Sequence, residues 1–421
     1  MSRLRLFPVG IALLAVAALT RFIGLGSRFF HQDEAVHAWM ANEIVRGAGY
    51  HYDPVYHGPL LYHLEALVFN AAGPGNFQAR VVPAAFGVLL VGLLLYLLRP
   101  YVGQATALTV AALAIISPSL TYYSRFNIHD ALIAALTVVI VTAPFDYRRA
   151  GLVWFSGALA LAVATKLNAY FILSALLLYA AGRVTYGRLR DRPLSIFAFC
   201  RRRPGYLALA AGCGSVIFVL LAISTAVYHT RAGDGSVLVA IGTTMDSMLL
   251  GGFRYWWTAH QAARLGGPFH YYLPILLIYE PLIFFGVPVA LVFYMQRRRP
   301  FAAVLLAVLA VEWLLSGNWP FLFASAWLLS ILWAVVSLWN TKREFLACWV
   351  FVGGLQFILY SVANEKVPWL VVHIALPWFV VVAVCLADVY RAAGRLPARA
   401  ALVTLVVVVE LFTARTSWIV N

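Results

Sequence analysis

Apolar runs recur along this chain, most of them roughly 16–24 residues long, close to the length an α-helix needs to cross a hydrocarbon layer. No other feature constrains the fold as strongly. Within a bilayer the backbone must satisfy its own N–H and C=O groups, so such runs become helices unless strands close into a barrel. A barrel would show alternating apolar and polar positions, and these runs do not alternate. Of the 421 residues, 63% are hydrophobic and 11% charged, and the mean hydropathy is +0.85. The expected fold class is an all-α polytopic membrane protein, in one domain over 1–421 with no separate soluble domain.

About thirteen spans are expected. They sit near 7–26, 81–98, 104–118, 130–145, 151–166, 170–183, 205–227, 272–295, 301–316, 320–338, 346–363, 368–390 and 400–414. The first run lacks a small-x-small cleavage site before Arg28, so it reads as a span and not a signal peptide. Arg3 and Arg5 precede it, which places the N-terminus in the cytoplasm. With that orientation, about 20 of the 31 Lys and Arg fall in cytoplasmic loops. The net charge of +15 is then a topology signal with some attraction to anionic headgroups. Nucleic acid is excluded as a partner, because the basic clusters lack interleaved aromatics and a folded carrier. The four cysteines map near the cytoplasmic side, without metal-site spacing and without an expected disulfide.

All ten histidines fall on the opposite, extracytoplasmic side. Two long segments lie there, 27–80 and 228–271. The first contains two amphipathic helical stretches, Glu34 to Val45 and Leu60 to Ala71, expected to lie along the membrane surface. A membrane protein that gathers acids, histidines and a few cations on one face is placed to do chemistry there.

Several groups could carry that chemistry, and each has a plainer reading beside it. Asp33 and Glu34 are adjacent carboxylates at a helix start. One can act as a general base while the other orients a partner or binds a cation such as Mg²⁺ or Mn²⁺. The plainer reading is an N-cap and its first turn. Arg125 and Asp130 flank a short loop with Tyr122, Tyr123 and His129. The arginine can hold a phosphate, or the two can form an interfacial ion pair. Lys166 can meet a lipid phosphate or simply snorkel. Glu365, Lys366 and Trp369 form a turn that is either functional or an aromatic-belt anchor. Further candidates are His31, His57, His260 and Arg264. The histidines show no convincing zinc spacing, and no metal is assigned beyond a possible cation at Asp33 and Glu34. Together these groups suit displacement of a lipid-linked phosphate by a nucleophile arriving from outside.

These residues resemble those of the GT-C superfamily of membrane glycosyltransferases, which includes protein O-mannosyltransferases, the aminoarabinose transferase of lipid A and the oligosaccharyltransferase catalytic subunit. The shared marks are Asp33-Glu34 in the first outside loop and Arg125-x4-Asp130. The chain is similar, more narrowly, to an archaeal and bacterial family labelled flippase-activity-associated protein Agl-twenty-three. That similarity rests on His31 to Ala35, Tyr56-His57-Gly58-Pro59-Leu60, Tyr122 to Arg125, Thr165-Lys166, His260 to Arg264 with Gly266-Gly267-Pro268, Tyr279-Glu280 and Glu365 to Trp369. The resemblance implies a GT-C type bundle in the cell membrane and an inverting transfer from a polyprenyl-phosphate-linked sugar on the extracytoplasmic face. Asp33 would be the base, with Glu34 second. Arg125, Lys166 and Lys366 would hold the donor phosphate. His31, His57, Tyr123, Asp130, His260, Arg264, Glu365 and Trp369 would support the substrates. The acceptor, whether glycan, lipid or protein, is not implied. The competing readings are a lipid-linked sugar flippase, which would bury charges along several spans, and a non-catalytic subunit of an envelope assembly, which would tolerate loss of Asp33 and Arg125.

Overall fold

The computed structural model describes residues 7–47, 50, 52–147, 150–190, 200–231, 236–262, 266–295 and 319–420. Every long element among them is an α-helix. In chain order these are α1 (Phe7–Phe22), α2 (Gln32–Arg46), α3 (Leu60–Ala72), α4 (Asn76–Val102), α5 (Gln104–Ile116), α6 (Pro118–Ser124), α7 (Asp130–Thr142), α8 (Gly151–Val163) and α9 (Asn168–Leu189). There follow α10 (Pro204–Arg231), α11 (Val237–Asp246), α12 (Gly252–Ala262), α13 (Tyr272–Tyr279), α14 (Pro281–Met295), α15 (Trp319–Asn340), α16 (Glu344–Val362), α17 (Val371–Ala392) and α18 (Leu396–Val420).

Among the described residues, seven helices are long and apolar enough to cross a membrane, or nine if each of two bent pairs is one span. The expected thirteen are therefore not all recovered. The expected spans 130–145 and 151–166 become α7 and α8, each of only 13 residues, while 301–316 lies outside the described residues. The two bent pairs correct the expected straight spans 104–118 and 272–295. α5 meets α6 at 64°, and α13 meets α14 at 109°. Both breaks precede a proline, at Ser117-Pro118 and Glu280-Pro281. A proline pushes the residue before it out of the α region and brings no N–H to the helix. Accordingly Ser117 sits at φ −50°, ψ 119° and Glu280 at φ −132°, ψ 56°.

One carboxylate joins the two breaks. Glu280 Oε1 accepts from the Ser117 hydroxyl at 2.6 Å and from the Ser119 backbone N–H at 3.0 Å. It thereby satisfies an orphan donor in the first turn of α6.

The amphipathic pair expected in the first long loop is present as α2 and α3. The α2 helix begins with a capping box: the His31 ring accepts from Asp33 N–H, and Glu34 reaches back to His31 N–H. It ends at Gly47, in the left-handed conformation that glycine adopts without strain. Trp39 and Leu67 are exposed on these helices, as suits an interfacial position. The core is built around α16 and α17, which are buried along most of their length, while α18 packs at the edge and stays largely exposed.

Charged groups divide between the two ends of this bundle. At one end Arg183 pairs with Glu344 at 2.5 Å, and Asp388 holds both Arg343 and Arg391. The same three helices, α9, α16 and α17, carry Asn168, Tyr360 and His373 at their other end. That end meets the start of α7, where Asp130 binds His373.

Candidate active site

The first knot of the site forms around Glu34. This side chain is 1% exposed, and its two oxygens accept four N–H donors. Arg80 Nε approaches Oε1 at 2.6 Å and Arg80 Nη2 approaches Oε2 at 2.8 Å. The backbone N–H of Asn127 gives 2.8 Å to Oε1, and that of His31 gives 3.0 Å to Oε2. Burial alone would raise the pKa of Glu34; the Arg80 and backbone hydrogen bonds outweigh it and hold the carboxyl below its ordinary range. Arg80 is itself fully buried and also donates to the carbonyls of Leu25, Arg28 and Phe29. A carboxylate so enclosed has no free lone pair for a substrate proton or a cation. Asp33 differs: its side chain is 42% exposed, and the His31 ring lies 3.8 Å from its carboxylate. Among the described residues no group of three or more His, Cys, Asp or Glu is placed to hold a metal ion. The Glu34 half of the possible cation site is occupied by Arg80, so the pair does not fit a shared ion.

A second knot forms around Asp130, which opens α7. The plainer reading, an Arg125–Asp130 ion pair, is not what forms. Asp130 instead binds Lys166 Nζ at 2.8 and 3.0 Å and His373 Nε2 at 2.7 Å. Arg125 turns the other way, giving Nη1 to the carbonyls of Thr20 and Ile23, both at 2.8 Å. The turn between them reverses the chain, so five-residue spacing does not bring the two charges together. Arg28 donates to the Arg125 carbonyl at 3.1 Å, and its guanidinium lies 4.7 Å over the Tyr122 ring. Burial lowers the pKa of Arg125, and the nearby Arg28 and Arg80 lower it further.

Three histidines pack edge to face between the knots. The rings of His37 and His129 are 4.9 Å apart, and those of His57 and His129 are 5.1 Å apart. Burial, with the Lys166 charge and the neighbouring histidines, holds His57 and His129 well below the usual range. Burial lowers His37 as well, although Asp33 and Asp130 pull the other way. All three are therefore neutral near pH 7. His37 Nδ1 lies 2.8 Å from the Asn127 carbonyl, and His129 Nε2 lies 3.1 Å from the Gly58 carbonyl.

His57 has a positive φ of 71°, strained for a non-glycine residue. The next residue explains how it is held. Gly58 N–H donates to Thr165 at 2.8 Å, and Leu60 N–H donates to Ala164 at 3.0 Å. A Cβ on Gly58 would sit 2.2 Å from the Ala164 carbonyl oxygen, so only glycine permits this approach. The zipped segment brings His57 beside Lys166.

Two cavities adjoin these knots. One is a mainly apolar cleft whose lining includes His57, Lys166, Asn168, Tyr255, Glu365 and Trp369. The other, about 750 Å³, is walled by α6, α13 and the start of α17 and includes Tyr122, Tyr123, Tyr271 and Tyr279. The turn 365–371 separates them, with Glu365 and Trp369 facing the first and Pro368 and Val371 the second. Lys366 holds that turn. Its ammonium donates to the carbonyls of Tyr360 at 3.1 Å, Ser361 at 2.6 Å and also Ala363, at the end of α16. Burial pushes its pKa down to about 8.

Of the expected site residues, His57, Lys166, Glu365 and Trp369 thus share one cleft, with Asp130 behind Lys166. Tyr123 lines the second cavity. His31 caps α2, and its ring packs 5.4 Å from Phe126. Of His260 only the backbone, on α12, is described, and Arg264 lies outside the described residues. Sequence reasoning passed over Arg28, Arg80, Glu65, Asn127 and His373's bond to Asp130. Arg80 had one signal: an arginine that opens a long apolar stretch, with the other arginine of its helix far off at Arg99, needs a partner of its own.

Residues 56–199 match the family described as dolichyl-phosphate-mannose-protein mannosyltransferase. The chain is similar to the crystal structure of ArnT from Cupriavidus metallidurans bound to undecaprenyl phosphate, with 18% identity and a TM-score of 0.59 over 90% of this chain and 60% of that one. The apo structure of that protein gives 18% identity and a TM-score of 0.58, over 91% and 60% of the two chains. The chain therefore spans about 60% of the length of those structures. No curated protein matches.

Proposed function

We propose that this chain, whose fold is that of the GT-C membrane glycosyltransferases, transfers a sugar from a polyprenyl-phosphate-linked donor to an acceptor at the extracytoplasmic face. The observation that carries the reading is the contrast between two adjacent carboxylates. Glu34 is sealed by four N–H donors, whereas Asp33 is half exposed at the helix start. Asp33 is therefore the general base, and Glu34 aligns the segment that presents it.

In this reaction the acceptor oxygen attacks the anomeric carbon while Asp33 takes its proton. The bond from that carbon to the phosphate oxygen breaks, and its electron pair leaves with the polyprenyl phosphate. Attack opposite the leaving group inverts the anomeric centre. Arg125 and Arg28 supply positive charge for the departing phosphate, with Lys166 as a third cation at the cleft. Lys366 is turned towards helix carbonyls, so its role is to hold the 365–371 turn.

The flippase alternative draws on buried ionisable groups such as Asp130 and Lys166. Each of these is tied to a partner at one end of the bundle and does not line a path through its middle. The test uses purified protein in proteoliposomes with radiolabelled polyprenyl-phosphate sugars and a membrane extract as acceptor. Sugar release that is lost in Asp33→Asn and Arg125→Ala supports the transferase. Translocation of the lipid-linked sugar without release would replace it with the flippase. Full release with Asp33→Asn would remove Asp33 as the base.

A further inference from the structure

Below the Asp33–Glu34 segment lies a carboxyl group that the proposed reaction does not use. Glu65, on α3, is 0% exposed and enters no ion pair among the described residues. Its Oε1 accepts from Asn127 Nδ2 at 3.0 Å. Two buried atoms remain without a partner at this contact: Glu65 Oε2 and Asn127 Oδ1. A carboxylate and an amide oxygen are both acceptors, so neither can satisfy the other while Glu65 is ionised. A neutral acid removes the conflict. Its O–H donates to the amide oxygen while its carbonyl accepts from the amide nitrogen, giving a closed two-bond ring.

We propose that Glu65 is a neutral carboxylic acid paired in this way with Asn127, and that the pair is the positioning element for the 125–129 turn. The surroundings favour this state. Arg80, the partner of Glu34, is committed to that carboxylate. Burial pushes the Glu65 pKa well up, and the nearby Glu34 charge pushes in the same direction, against the Asn127 hydrogen bond.

Asn127 sits where its orientation matters. Its backbone N–H holds Glu34, and its carbonyl holds His37. The turn it belongs to carries Arg125 and His129. One side-chain pair therefore registers the phosphate arginine against the helix that presents Asp33. This role in catalysis rests on the transferase reading; the protonation state does not.

The experiment is infrared difference spectroscopy of the purified protein at neutral pH, wild type against Glu65→Gln, combined with transfer assays. Glutamine offers one donor and one acceptor in the same places. The proposal expects Glu65→Gln to lose a carboxylic acid C=O band that shifts in heavy water, with transfer kept within about threefold. Glu65→Leu strands the Asn127 amide and is expected to cut kcat roughly 10- to 100-fold, with a much smaller change in KM. Loss of a carboxylate band in the difference spectrum overturns the neutral acid. An equal loss of kcat in the glutamine and leucine variants overturns the positioning role. If the wild type shows no transfer, the function above fails, and the infrared result still decides the state of Glu65.

Discussion

Removing the Glu34 carboxylate would leave the guanidinium of Arg80 buried and charged, with a magnitude that follows from the contacts. Glu34→Ala deletes two charge-assisted bonds to Arg80 and one acceptor each for the N–H groups of Asn127 and His31. Breaking a buried ion pair from one side costs about 3–5 kcal/mol. Arg80 keeps three carbonyl partners, at Leu25, Arg28 and Phe29, which places the loss near the lower end. About 3 kcal/mol is a factor of roughly 150 in a folding equilibrium. For a chain of this size it lowers the melting temperature by about 3–6 °C. The assay is tryptophan-fluorescence melting in detergent, with Asp33→Asn as the companion and expected within about 1 °C of wild type. Combining Glu34→Leu with Arg80→Met removes both charges and should recover at least about 2 kcal/mol of the loss. A wild-type melt for Glu34→Ala beside a several-degree drop for Asp33→Asn would refute the division of roles. So would a double variant no better than the worse single one.

Other consequences are open to similar measurement. Asp130→Ala leaves Lys166 without its carboxylate in the interior and should destabilise by about 3 kcal/mol, whereas Asp130→Asn should lose less; comparative melting checks the order. His37, His57 and His129 have folded pKa values below their ordinary 6.5. Below that pH the unfolded chain takes up protons that the folded chain does not. Stability is therefore full above about pH 6.5 and falls as pH drops, by up to about 1.4 kcal/mol per pH unit per histidine. Melting from pH 7 to pH 5 should show the decline, and a flat profile would refute the neutral cluster. Lys366 titrates near 8 folded and 10.5 ordinarily, so its contribution makes stability rise between those values. Lys366→Met should abolish that slope and cost roughly 1–3 kcal/mol through three undonated carbonyls.

The amphipathic pair α2 and α3 was readable from the chain because capping, helical periodicity and a Pro-Gly loop all act locally. The two helix breaks were equally local, written as Ser117-Pro118 and Glu280-Pro281, yet hydropathy averaged over a window passes across them. Partner choice was not readable. Asp130 sits five residues from Arg125 and binds Lys166 and His373 instead, 36 and 243 residues away. Sequence spacing gives distance along a helix, and here a turn intervenes. The Asp33-Glu34 motif marked two adjacent carboxylates but not their division into one sealed and one exposed group. That division depends on Arg80, contributed by a helix 46 residues further on. His57 was picked out as a residue type; the strained backbone that aims it emerges only from Gly58 lying against Ala164.

Glu280 makes one mechanical unit of two helix breaks. Two such breaks would ordinarily flex as separate joints. Here a single carboxylate clasps one joint to the other. The short arms beyond the joints, α6 and α13, are opposite walls of the tyrosine-lined cavity. The angle of each arm to the cavity is therefore fixed through the same carboxylate, so losing Glu280 would release both walls together.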